Sequence, residues 1–70
     1  MNNFEVLISS PFDRKFLVAE IWYNDKYIAE VNQENGSLNL DIYIEEGDCI
    51  SLPLEDFLDA VELAKKKLIE

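Results

Sequence analysis

The hydrophobic period changes once along this 70-residue chain, at Pro53, and that change constrains most of what the chain can fold into. Before Pro53 apolar residues recur at every second position, the period of a strand with one buried face. After it they recur at helical spacing. Proline suits a first helical turn, where the N–H it lacks would have no partner. Leu54, Phe57, Leu58, Val61, Ala64 and Leu68 then form one apolar stripe. Glu55, Asp56 and Asp59 occupy the first turns and Lys65, Lys66 and Lys67 the last, an order that complements the helix dipole. The spacing predicts a helix over about 54–69.

The period-two region divides into strands. Phe4, Val6 and Ile8 alternate with Glu5, Leu7 and Ser9, so a first strand is expected over about 3–9. Pro11 breaks the pattern and marks a loop. A second strand, about 16–23, sets Leu17, Ala19, Ile21 and Tyr23 on one face and Phe16, Val18, Glu20 and Trp22 on the other. A third, about 27–33, sets Tyr27, Ala29 and Val31 against Ile28, Glu30 and Asn32. A three-residue loop over Asn24-Asp25-Lys26 pairs Ile21 with Ala29 and Ala19 with Val31. A two-residue loop sets Ala19 against Glu30, so matching of faces favours three. Asn35-Gly36 carries the strongest hairpin signal, the pair preferred in a type I′ turn. A fourth strand, about 37–45, points Leu38, Leu40, Ile42 and Ile44 inward and Asn39, Asp41, Tyr43 and Glu45 outward. Glu46-Gly47-Asp48 is a turn, and Cys49 to Leu52 allows a short fifth strand.

A helix with one apolar stripe must lie on an apolar surface, and the inner sheet face is the candidate. The expected fold is α+β: an antiparallel β-meander of four or five strands, covered on one face by a C-terminal α-helix, as a single domain over residues 1–70.

Composition removes most chemistries. The chain has 15 acidic residues against 6 basic, a net charge of −9, no histidine and one cysteine. No Ser-His or Cys-His pair and no imidazole ligand can form, and one cysteine cannot close an internal disulfide. An acidic chain binds nucleic acid and anionic membrane poorly, because counterion release needs clustered Lys and Arg. No apolar run approaches the roughly 18 residues of a spanning helix. Met1 to Glu5 lacks the basic start of a signal peptide, and a cytoplasmic location is expected. Glu45-Glu46-Gly47-Asp48 lacks the spacing of a calcium loop. Glu20 and Glu30 as a glycosidase pair would sit on an open sheet with little room for a substrate cleft. Ser9 and Ser10 have no base to activate them. Cys49, beside Asp48, reads as a small core residue. The expectation is a protein that is not an enzyme, with no catalytic residue, metal or cofactor.

The sheet face away from the helix is where a function is expected. It carries Val18, Glu20, Trp22, Ile28, Glu30, Asn32, Asn39, Asp41 and Tyr43. Glu20 falls opposite Glu30, a destabilising placement of like charges. Trp22 falls opposite Ile28, with Tyr43 nearby. Aromatics among carboxylates have the composition of a binding patch. The candidate partner-binding residues are Glu20, Trp22, Ile28, Glu30, Asp41 and Tyr43, with Trp22 as anchor. Residues 1–53 hold ten acids against three bases, a net −7 that steers a basic partner to fast encounter.

Val6 to Arg14, Leu17 to Trp22 and the closing Leu54 to Ala60 resemble short, acidic bacterial proteins, some of them immunity proteins for polymorphic or contact-dependent toxins. The resemblance carries over no functional residue. It implies a non-catalytic acidic inhibitor that masks a basic site of a bacterial toxin. The same physics fits a phage-encoded inhibitor of a host nuclease, such as an anti-CRISPR or DNA mimic. A structural homodimer, paired by sheet faces or edges, is the third alternative, opposed by the charge of each subunit.

Overall fold

A computed structural model describes residues 3–13, 15–34, 36–45 and 47–69. The chain forms β1 (Phe4–Ser9), β2 (Val18–Tyr23), β3 (Lys26–Asn32), β4 (Asn39–Ile42) and α1 (Leu54–Ile69). Each strand pairs antiparallel with its neighbour in sequence, in the order β1-β2-β3-β4. This is the expected α+β meander, with four strands. Residues 49–52 are not a strand, although Ile50 and Leu52 still pack against the core. Cys49 is exposed rather than a core residue.

The β2–β3 turn corrects one expectation while preserving another. Asn24 and Asp25 have φ of 49° and 65°, and Tyr23 pairs directly with Lys26. Positive φ at both central residues makes this a two-residue type I′ hairpin. Such a turn alone would slip the faces. A bulge on β3, facing the Ile21–Trp22 step of β2, repairs the slip, because Trp22 pairs with Tyr27 while Ile21 pairs with Ala29. Ile28 is the extra residue. Beyond the bulge the expected pairs hold: Ile21 with Ala29, Glu20 with Glu30, and Ala19 with Val31. Before it they do not, so Tyr27 shares a face with Trp22, and Ile28 turns into the core.

The type I′ turn expected at Asn35-Gly36 has its first residue outside the described residues. Asn32 pairs with Asn39, so the β3–β4 connection runs over residues 33–38 and is longer than two residues. Gly36, at φ 80°, takes the left-handed conformation there and donates its N–H to the Gln33 carbonyl at 3.1 Å.

The Pro53 carbonyl accepts the Phe57 N–H at 2.9 Å and opens α1. Ala60 and Ala64 are its fully buried residues, and their small side chains let the helix lie close on Ala19, Ile21 and Ala29. Phe57 reaches Phe4 at 6.1 Å between ring centres, and Phe4 packs on Tyr23 at 4.6 Å. Among the described residues α1 packs on β1, β2 and β3 but not on β4. Width explains this. A helix is about 10 Å across, whereas four strands at about 4.8 Å spacing span roughly 14 Å between outer axes. Leu38, Leu40 and Ile42, expected under the helix, are therefore exposed, as are Leu17, Leu54 and Leu58. No described helix is long and apolar enough to cross a membrane.

Candidate functional site

Strand alternation turns Glu20 and Trp22 of β2, Glu30 and Asn32 of β3, and Asp41 of β4 with Tyr43 just beyond it, away from the helix. The register aligns Glu20 with Glu30 and Glu30 with Asp41. Three carboxylates therefore stand in one row across three adjacent strands, where like charges repel.

Among the described residues, uncharged donors reach this row. The Trp22 indole donates Nε1–H to Glu20 Oε1 at 3.0 Å. The Tyr27 hydroxyl donates to Glu30 Oε1 at 2.7 Å. The Asn32 amide nitrogen bridges the other two acids, reaching Glu30 Oε2 at 2.9 Å and Asp41 Oδ2 at 2.8 Å. Asn32 Oδ1 also accepts the Glu34 N–H at 3.4 Å, which ties the bridge to the β3–β4 loop. Among the described residues no three His, Cys, Asp or Glu side chains gather as a metal-binding group.

The aromatics form a second cluster beside the acids. Trp22 stacks on Tyr27 at 5.4 Å and 15°, and Tyr27 meets Tyr43 at 5.2 Å and 59°. Trp22 is half-buried by that stack rather than standing alone in water. Next to Tyr27 and Tyr43 lies an open cleft of about 590 Å³, whose wall includes Glu45 and Asp48.

The expected site changes in two places. Ile28 is 4% exposed and belongs to the core, because the bulge turned it inward. Glu30 is 3% exposed and cannot be a direct contact; it organises Tyr27 and Asn32 instead. Glu20, Trp22, Asp41 and Tyr43 are brought together on the outer face as expected. Two further residues belong to the site. The two-residue period points Tyr27 inward because a bulge leaves no mark in it, although Asn24-Asp25 is a readable I′ signal. The period puts Asn32 on the outer face, but its bridging role depends on the register.

Burial and the adjacent Glu30 carboxylate, with Tyr43 and Glu20 adding to it, push the Tyr27 phenol far above its ordinary value of 10.0. The folded state therefore holds this proton after the unfolded chain has lost it. Stability from Tyr27 is complete below about pH 10 and falls as pH rises further, because the unfolded state then binds fewer protons. Urea midpoints across alkaline pH should fall beyond that point, and Tyr27→Phe should flatten the fall. An unchanged slope in Tyr27→Phe would assign the loss to other groups.

Comparison with protein-family models, curated proteins and solved structures gives no match to this chain.

Proposed function

We propose that this protein is a non-catalytic acidic inhibitor of immunity type that masks a basic site on a bacterial toxin. The observation that carries this reading is the carboxylate row Glu20–Glu30–Asp41, built beside a Trp22–Tyr27–Tyr43 cluster on the sheet face the helix leaves open. A fold with no use for that row would not place three acids in register, since the arrangement costs stability. A cationic surface against Glu20 and Asp41, at the two ends of the row, recovers part of the cost on binding, and the aromatics supply rigid area for contact. The exposed Cys49 thiol suits a reducing compartment, so we place the protein in the cytoplasm.

The test is co-expression with the product of the neighbouring gene. Rescue of growth from a toxic neighbour is the expected result, and a neighbour that is harmless or acidic overturns it. A position within a phage operon would move the target to a host nuclease. With a partner in hand, association should slow steeply toward about 0.5 M salt, where the Debye length is only about 4 Å. Asp41→Asn, which keeps an acceptor for Asn32, should reduce that salt slope. Trp22→Ala should cost about 2 kcal/mol in binding. An on-rate indifferent to salt removes charge steering from the account.

A further inference from the structure

β4 is an edge strand, bonded to β3 on one side only. The Tyr43 N–H donates to the Ile28 carbonyl at 2.7 Å, in the same register as the pairs Asp41–Glu30 and Asn39–Asn32. Bonded and non-bonded pairs alternate along an antiparallel ladder. Asn39, Asp41 and Tyr43 thus direct their backbone groups toward β3, and Leu40 and Ile42 direct theirs to the open side. An edge of this kind is a template for an added strand.

The two faces of this edge differ in chemistry. On the helix side, Leu38, Leu40 and Ile42 are uncovered, and a groove of about 140 Å³ separates Leu38 and Leu40 from Val61 and Lys65. The Lys65 ammonium at that groove disfavours a second cation there. On the opposite side stands Asp41, at the end of the carboxylate row. A strand laid on β4 meets apolar side chains at every second position, and Asn39, Asp41 and Tyr43 at those between.

We propose that β4 accepts a strand from the basic partner, one that alternates apolar residues toward the groove with Lys or Arg toward Asp41. The proposal rests on the reading of this chain as a binder of a basic protein and specifies how that partner is held. A second copy fits the edge less well. It would return an Asp41 of its own to the same face, and each copy carries a net charge of −9.

Two synthetic peptides of about ten residues test this, equal in Lys and Val content, one alternating and one in two blocks. Each is titrated into the full chain at low salt and followed by amide shifts and hydrogen exchange. The alternating peptide is expected to bind about tenfold tighter than the block peptide and to slow exchange at Leu40 and Ile42 about tenfold. Ile42→Pro removes one outward N–H without touching a bond to β3, a position where proline is tolerated, and should abolish both effects. Should that variant fail to fold, the parent's exchange pattern with the two peptides decides. Equal binding of both peptides, with shifts at Trp22 and Asp41 but no slowed exchange on β4, overturns strand addition and leaves the basic-partner reading intact. Absence of any shift with either peptide removes both. A peptide-independent dimer that Ile42→Pro dissolves overturns the proposal in favour of a second copy.

Discussion

Asn32→Asp is expected to cost about 3–5 kcal/mol at pH 7, most of the stability of a domain this small. The substitution is nearly isosteric and leaves packing alone. It replaces the amide nitrogen, now 2.9 Å from Glu30 Oε2 and 2.8 Å from Asp41 Oδ2, with an oxygen that has no proton to donate. Two hydrogen bonds become two repulsive contacts at a side chain that is 3% exposed. The new carboxyl should relieve this by holding a proton, so its folded pKa lies above its unfolded one. A group shifted in that direction regains its stability below the unfolded value, near pH 4, and loses it as pH rises. The gap between variant and parent in urea denaturation should therefore narrow from pH 7 toward about pH 4. A variant as stable as the parent at pH 7 would mean that solvent, not Asn32, separates the acids.

Ile21→Ala and Ile42→Ala make the same chemical change in two environments, and their costs should differ severalfold. Ile21 is 0% exposed, in the layer between sheet and helix, and its truncation should cost about 2–5 kcal/mol through the cavity left behind. Ile42 is 56% exposed on the strand the helix does not reach, and its truncation should cost below about 1 kcal/mol. Denaturation midpoints of the two variants measure the contrast. Equal losses would show that the inner face of β4 is covered in solution.

These two positions also mark where sequence pattern is informative and where it stops. The pattern puts Ile21 and Ala29 on one face and opposite each other, because a strand buried on one side tolerates no slip. The same rule favours a three-residue loop, and the chain satisfies it differently, with a two-residue turn and a compensating bulge. The core on either side is identical, so periodicity cannot tell the two solutions apart, and Tyr27 and Ile28 exchange roles. The same pattern points Ile42 to the helix side, where the core does not extend over it. Period identifies which face of a strand is apolar. How many strands one helix covers is a matter of widths, which no period encodes. In the candidate site the aromatic and acidic residue types were readable, whereas Asn32 was not, since its importance lies in the distance between Glu30 and Asp41.

The meander order has a kinetic consequence. Every strand pairs with its neighbour in sequence, so each hairpin closes a short loop and can form on the timescale of about 1–10 μs. Among the described elements, the docking of α1 onto β1, β2 and β3 joins the most distant parts of the chain. Loop-closure entropy is therefore concentrated in one late event, and the transition state for folding should contain the β2–β3 hairpin with α1 still undocked. Truncations at Ala19 or Ile21 on the hairpin would then slow folding, while weakened contacts of Phe57 or Val61 would chiefly speed unfolding. The helix thus sets how long the native state lasts more than how quickly it is reached.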